Sequence, residues 1–176
     1  AVALVGSIYF VLQACRIAIH PDTGRIWRTV LVSLPAMGLV AVLEELVFRG
    51  YLLRQLLACS SWVAVTGTSA AYAVVHLRAQ PAWPGSALEL TGLFILGAVL
   101  ALGTLRTQQL YLAIGLHAAL AYCARINKLF IEFPDASLQW LVGTSRLVNG
   151  VGAWIALLAI GWAITHRWNT PRAADV

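Results

Sequence analysis

Long apolar runs, separated by short clusters of proline, glycine and charged residues, make up most of the chain. A helix needs about 20 apolar residues to cross a bilayer, because each backbone amide must find its partner inside the helix. Six runs approach or exceed this length. They predict membrane-spanning helices at residues 1–19, 27–57, 62–77, 86–105, 110–130 and 147–165.

The second run, residues 27–57, is too long for one straight crossing. Pro35 and Gly38 lie inside it, and a proline removes a helix hydrogen bond and kinks or breaks the helix. We therefore expect a break at this point, with an interfacial piece before it and a true span from about residue 36.

The composition supports a membrane protein and excludes the soluble classes. Of the 176 residues, 60% are hydrophobic and only 11% are charged, with a mean hydropathy of +0.80. A soluble domain carries about a quarter charged residues, and disordered, collagenous or coiled-coil chains need many charges or a biased repeat. The predicted fold is an all-α, polytopic transmembrane bundle of about six helices, in a single domain over residues 1–176. Ala1 is not an initiator methionine, so the chain is expected to lack upstream residues.

The positive charge of the chain points to a bilayer and not to nucleic acid. The formal net charge is +5, but the twelve lysines and arginines are spread singly or in pairs, mostly over the segment ends. This is the distribution that the positive-inside bias of membrane proteins produces. We expect the lipid bilayer as a partner and no nucleic acid.

Two adjacent acids, Glu44 and Glu45, lie inside the second apolar run, followed by Arg49. One charged side chain at the bilayer centre costs about 2.5–3.5 kcal/mol on the insertion scale, so two neighbouring carboxylates require an explanation. Glu45 and Arg49 are four residues apart on one helix face and can form an ion pair. Glu44 points about 100° away from Glu45. It must therefore face something else.

Two histidines in other apolar runs could face Glu44. His76 ends the third run, with Tyr72 one turn before it on the same face, and His117 lies inside the fifth run. A carboxylate beside a histidine can take a proton from water while the imidazole orients or polarises it. Peptide hydrolysis also needs hydrogen-bond donors aimed at the oxyanion, which the second histidine could provide. Each residue alone also fits a structural role, and it is their coincidence on three helices that predicts a hydrolytic site.

The pattern Glu44-Glu45-x-x-x-Arg49, then aromatic-x-x-x-His76, then a further intramembrane His117, resembles the CPBP family. Its members are the CAAX-processing and bacteriocin-processing intramembrane endopeptidases, also called Abi proteins. The resemblance implies that Glu44 is the general base on water and that His76 assists it. It also implies that His117 binds the oxyanion and that Glu45 and Arg49 are architectural partners. The activity implied is cofactor-free cleavage of a membrane-associated or C-terminally anchored protein, in a bacterial inner membrane.

The resemblance covers residues 34–122 and includes two departures from the family pattern. The family places an asparagine one turn after the second histidine, where this chain has Ala121. Losing one oxyanion donor can cost about 2.7–4 kcal/mol of transition-state stabilisation, and Tyr122 and Asn127 are candidates to replace it. Tyr72 stands where the family usually has phenylalanine. Outside the motifs, the segment from glycine 143 to glycine 150 resembles branches linked to bacterial C-terminal sorting signals.

Three other readings of the same residues stay open. The cluster could bind Zn²⁺, which accepts histidine and carboxylate ligands, although no HExxH motif is present. His76 and His117 could be axial ligands of a haem, which leaves the two glutamates unexplained. The chain could also be a non-catalytic membrane scaffold that keeps the fold, as Ala121 suggests. A prenylated C-terminus, a bacteriocin leader and a sorting-signal helix would all fit such a site as substrates.

Overall fold

The fold is helical apart from one pair of two-residue strands, over the residues that the computed structural model describes: 16–17, 23–76, 85–132, 138–144 and 147–167. This agrees with the predicted all-α class. The elements in chain order are β1 (Arg16–Ile17), α1 (Thr23–Glu45), a π-helical segment (Leu46–Leu52), α2 (Leu53–Leu56), α3 (Ser61–Val75), α4 (Gly85–Thr107), α5 (Tyr111–Phe130), β2 (Ile131–Glu132), α6 (Gln139–Val142) and α7 (Val151–Arg167).

Three predicted spans coincide with observed helices to within a few residues. The runs at 62–77, 86–105 and 110–130 correspond to α3, α4 and α5. The start of α3 has a local cause, since the Ser60 hydroxyl accepts a hydrogen bond from the Val63 amide at 3.1 Å. Such a cap satisfies one of the free amides at a helix N-terminus.

The two ends of the chain differ from the prediction. The helix expected at 1–19 lies outside the described residues, except for Arg16 and Ile17, which form β1 and pair antiparallel with β2. The last predicted span begins later than expected, at Val151, and Leu147 has a positive φ of 64° that no helix allows. The short helix α6, which lies between the predicted spans 110–130 and 147–165, was not predicted.

The expected break at Pro35 and Gly38 is wrong. Helix α1 runs without interruption from Thr23 to Glu45 and contains Pro35, whose ring is exposed. A membrane helix tolerates a proline where its surroundings satisfy or adjust to the freed backbone carbonyl. The irregularity lies instead directly after Glu45, where the amide of Leu53 donates to the carbonyl of Phe48 five residues back. Single π-helical turns of this kind often occur at functional sites.

Helix α4 is the centre of the bundle and packs against α3, α5 and α7. Its Gly97 lies against the backbone of Ser69 on α3, where a side chain would have no room. Small residues allow helix axes to approach closely in a membrane. The main apolar cluster surrounds α4 and includes Phe48 and Tyr72, so the core extends up to the elements that carry the predicted site.

Two helices among the described residues are long and apolar enough to cross a membrane, Gly24–Leu56 and Gly85–Thr107. The helices Ser61–Val75 and Val151–His166 are apolar but shorter. The predicted count of six spans is therefore supported only in part. Large apolar side chains are exposed along α1, a surface better suited to lipid than to water. They are Trp27, Leu31, Leu34, Leu39 and Leu43.

Candidate active site

The three residues predicted to share a site lie on three separate elements and meet. Glu44 is next to the end of α1, His76 caps the C-terminal end of α3, and His117 lies near the middle of α5. The Oε2 atom of Glu44 lies 3.6 Å from Nε2 of His76 and 3.8 Å from Nε2 of His117. The fold therefore brings both imidazoles to the same carboxylate oxygen.

A fully buried ion pair lies beside this cluster. Arg49 Nη1 donates to Glu45 Oε1 at 2.8 Å, and neither side chain is exposed, which confirms the predicted pair. The other terminal nitrogen, Nη2, donates to the carbonyl of Gly97 at 3.0 Å. Buried charges are stable only when they are paired and hydrogen-bonded. Arg49 thus also connects the π-helical segment to α4 through a hydrogen bond.

Glu45 binds His117 as well as Arg49. Nδ1 of His117 lies 2.8 Å from Glu45 Oε1, the oxygen that also accepts from Arg49. An ionised carboxylate can only accept hydrogen bonds, so Nδ1 carries a proton and donates it. In the neutral imidazole Nε2 is then an acceptor, and this is the atom that faces Glu44. The Glu45–His117 contact was not predicted, because nothing in the sequence marks a pairing between helices so far apart along the chain.

Glu44 has different surroundings from Glu45. Its side chain is 28% exposed, whereas that of Glu45 is fully buried. Its Oε2 is buried and makes no hydrogen bond with any described residue, which is also true of Glu45 Oε2. His76 Nδ1 lies 2.8 Å from the carbonyl of Tyr72, to which it donates, so Nε2 of the neutral ring is an acceptor. The 3.6 Å between that Nε2 and Glu44 is too long for a direct hydrogen bond of normal length. Each of these two acceptors can instead accept a hydrogen bond from a water.

Tyr72 lies at the centre of the cluster and is only 2% exposed. Its hydroxyl is 3.4 Å from Nε2 of His117. Its ring centroid is 4.5 Å from that of His76 and 4.8 Å from the guanidinium carbon of Arg49. Phe48 packs edge-on against the same ring. The spacing of Tyr72 and His76 placed the two on one face, but it gave no indication that the hydroxyl reaches His117.

The two residues suggested as replacements for the missing asparagine do not join the cluster. The Tyr122 hydroxyl donates to the carbonyl of Val30 on α1 at 3.4 Å. Asn127 lies ten residues after His117 on α5, which corresponds to about 15 Å along the helix axis. Ala121 itself lines a cavity of about 260 Å³.

Of the segment from glycine 143 to glycine 150, the structure describes residues 143–144 and 147–150, which lie between α6 and α7. Asn149 Oδ1 accepts from the amide of Thr144 at 2.9 Å, and Asn149 Nδ2 donates to the Thr144 hydroxyl at 2.9 Å. Val148 then packs against α4, its carbonyl accepting a hydrogen bond from Trp154 Nε1 at 2.9 Å. The local sequence thus has a structural role, and its link to sorting-signal branches stays a prediction.

The described residues offer no support for a metal centre. Among them, no group of three or more histidines, cysteines, aspartates or glutamates has an arrangement that could hold a metal ion. The chemistry that the cluster does offer is proton transfer at Glu44 Oε2, assisted by the two imidazoles.

The chain is similar to one known family over the part that carries this cluster. The family model described as type II CAAX prenyl endopeptidase Rce1-like matches residues 26–123, more than half of the chain. The matched range includes the whole cluster: Glu44, Glu45, Arg49, Tyr72, His76 and His117. No curated protein and no solved structure matches significantly.

Proposed function

The chain belongs to the Rce1-like family of type II CAAX prenyl endopeptidases, and from this we propose that it is an intramembrane endopeptidase with Glu44 as its general base. The family is one of membrane-bound proteases. The proposed substrate is a membrane-associated or C-terminally anchored protein, cut at a peptide bond near the membrane surface.

One observation carries this proposal: the partly exposed Glu44 places an Oε2 without a hydrogen bond to any described residue near the Nε2 atoms of two imidazoles. Glu45 Oε2 also lacks a partner among the described residues, but the Glu45 side chain is fully buried. Buried polar atoms without a partner are rare in native proteins and call for an explanation such as catalysis. A carboxylate in this position is a good acceptor for a proton from water. Its partial exposure also leaves a path for water and substrate to reach it.

The proposed reaction has two steps at the peptide carbonyl. The water oxygen attacks the carbonyl carbon as Glu44 takes one of the water's protons, which forms a tetrahedral intermediate with a negatively charged oxygen. The intermediate then collapses, the carbon–nitrogen bond breaks, and Glu44 passes its proton to the leaving amine. General acid–base catalysis of this kind contributes about 10²–10⁴-fold to the rate.

The other residues hold this arrangement in place. His76, fixed by its hydrogen bond to the carbonyl of Tyr72, accepts a hydrogen bond from the attacking water through Nε2. His117 is fixed by Glu45, which is in turn held by Arg49. The side chains of Glu45 and Arg49 are fully buried, whereas that of Glu44 is 28% exposed, so we assign Glu45 and Arg49 a positioning role.

We also propose that the chain is a multi-pass protein of a bacterial inner membrane with about six spans. The two long apolar helices, the two shorter ones and the exposed apolar surface of α1 support this. The first of the six spans lies in residues 1–19, of which the structure describes only 16 and 17.

The test of the proposed activity is a comparison of membrane-protein termini in cells that express the wild type or Glu44→Gln. Glutamine keeps the size of the side chain but cannot take the proton. We expect one or more new termini in the wild type that disappear with Glu44→Gln, at equal abundance of the two proteins. Arg54→Gln, which removes an exposed charge from α2, is the matched control and should keep those termini. Termini that persist in Glu44→Gln would refute the assignment of the general base.

A non-catalytic scaffold is the second candidate, and Ala121 is the observation that favours it. A site with one donor fewer at the oxyanion is expected to be slower. The same comparison of termini distinguishes the two functions, since a scaffold produces no terminus that depends on Glu44.

We propose that the activity needs no metal and no haem. The Tyr72 ring lies against both imidazoles, with centroids 4.5 Å from His76 and 5.8 Å from His117, where a porphyrin would have to fit. The absence of a Soret band after haem-replete expression would support this. Undiminished cleavage in chelator, with no zinc in the purified protein, would remove the metal-dependent reading.

A further inference from the structure

The hydrolysis proposed above requires a hydrogen-bond donor at the oxyanion, and a neutral His117 cannot supply it. Its Nδ1 proton is committed to Glu45 at 2.8 Å. Its Nε2, the atom that faces Glu44 and the reaction centre, is then an acceptor. An acceptor at this point would repel the negative oxygen of a tetrahedral intermediate and would not stabilise it.

The Tyr72 hydroxyl is a donor close to His117 Nε2. It lies 3.4 Å from His117 Nε2, which itself lies 3.8 Å from Glu44 Oε2. The 3.4 Å distance is longer than that of a tight hydrogen bond. Catalytic hydrogen bonds are often long in the absence of substrate and shorten only in the complex. The phenolic proton can therefore turn from His117 to a new acceptor with little loss.

Three side chains pack against the Tyr72 ring and hold it in position. Arg49 lies over its face at 4.8 Å, Phe48 packs at its edge with centroids 5.4 Å apart, and His76 packs at 4.5 Å. A ring held in this way keeps the phenolic oxygen in place, so that only the hydroxyl proton turns as charge develops. Donors positioned in advance are the ones that stabilise an oxyanion effectively.

We propose that the Tyr72 hydroxyl donates a hydrogen bond to the oxyanion of the tetrahedral intermediate, and so replaces the side chain that Ala121 lacks. The inference rests on the proposed endopeptidase function. When Glu44 has taken the proton of water, the carbonyl oxygen carries the negative charge and accepts from the phenol. When the carbon–nitrogen bond breaks, the charge leaves this oxygen and the phenol returns to His117. No proton is lost from Tyr72 in either step.

The experiment compares Tyr72→Phe with Tyr122→Phe in proteoliposomes. The probe is a fluorescence-quenched prenylated CAAX peptide, or a peptide that spans a Glu44-dependent cleavage site where one has been found. We expect Tyr72→Phe to lower kcat by about 10²–10³-fold, the loss seen when one oxyanion donor is removed, with little change in KM. Tyr122→Phe removes a hydroxyl that bonds only the carbonyl of Val30 among the described residues, and it should keep the wild-type kcat.

A ring-fluorinated tyrosine at position 72 separates a catalytic role from a structural one, and keeps the test decisive if Tyr72→Phe is unstable. Fluorination makes the phenol more acidic, and an oxyanion donor must be protonated. The alkaline fall of kcat should therefore move to lower pH, whereas a hydroxyl that only fills space would not move it.

The possible outcomes distinguish this inference from the proposed function. A wild-type kcat in Tyr72→Phe, with no cleavage by Glu44→Gln, would overturn the role of Tyr72 and leave the endopeptidase intact. An unmoved alkaline limb in the fluorinated protein would overturn it as well. If the wild type cleaves neither probe and produces no Glu44-dependent terminus, both proposals fail.

Discussion

Arg49 is the residue on which the buried charges of the site depend. It neutralises Glu45, donates to the carbonyl of Gly97 and lies over the ring of Tyr72. Its guanidinium makes these contacts at once because it is planar and has donors on separate nitrogens. A lysine has one compact ammonium group and cannot hold both acceptors in the same way.

We predict that Arg49→Lys lowers the stability of the folded protein by about 1.5–3 kcal/mol, the value of a hydrogen bond to a charged group. Arg49→Met should cost more, about 3–5 kcal/mol, because it leaves Glu45 buried and unpaired. Thermal inactivation in detergent measures both changes. Arg54→Lys makes the same exchange at an exposed position of α2 and serves as the control. Equal inactivation temperatures for Arg49→Lys and Arg54→Lys would contradict the structural role of Arg49.

At the scale of the helices, the bundle depends on how closely α4 approaches its neighbours. Gly92 on α4 faces Val148, and an added Cβ would overlap the Val148 carbonyl oxygen and approach Trp154 Nε1 to 2.9 Å. The Val148 carbonyl and the Trp154 indole form the hydrogen bond that links the residues before α7 to the helix itself. The fold has no flexible side-chain end here that could move away cheaply.

Gly92→Ala should therefore push α4 away from the start of α7 and destabilise the protein by about 1–3 kcal/mol, as overpacking does. Gly115→Ala is the matched control, because a Cβ at this position of α5 meets nothing within 4 Å. A glycine in a helix interior costs about 0.5–1 kcal/mol relative to alanine, so this variant should be slightly stabilised. Opposite shifts in inactivation temperature are expected, and a shift of the same sign and size in both variants would refute the packing argument.

The elements of the fold and the residues of the site were predictable to different degrees. Long apolar runs identified α3, α4 and α5, because a lipid-exposed helix must be apolar over its whole length. The same rule gave no position for the π-helical segment, which begins directly after Glu45 and contains Arg49. The cost of burying charge singled out Glu44, Glu45 and Arg49. The spacing of four residues predicted the pairing of Glu45 with Arg49. The contacts of His117 with Glu45 and Tyr72 depend on the packing of α1, α3 and α5, which no local pattern encodes.

For the whole molecule, the decisive question is whether α3 crosses the membrane. Its 15 residues span about 22 Å, less than the about 30 Å of a typical hydrocarbon core. A short helix can be accommodated by local thinning of the bilayer at modest cost. If α3, α4 and α5 all cross, the connections after α2 and after α4 lie on one side of the membrane, and the end of α5 lies on the other.

Labelling with a membrane-impermeant maleimide tests this arrangement in sealed vesicles. Cys59 is exposed in the connection after α2, and Gln109 and Lys128 are exposed in the connection after α4 and near the end of α5. In the first protein, Cys15 and Cys123 are replaced by serine and Cys59 is the cysteine that is labelled. In the second, Cys59 is also replaced and Gln109→Cys is introduced. We expect Cys59 and Gln109→Cys to be labelled in the same vesicle orientation. Lys128→Cys, introduced with the same three cysteines replaced, should be labelled only in the opposite orientation. Labelling of Cys59 and Gln109→Cys from opposite sides would show that α3 or α4 does not cross. Labelling of Gln109→Cys and Lys128→Cys from the same side would show the same for α5.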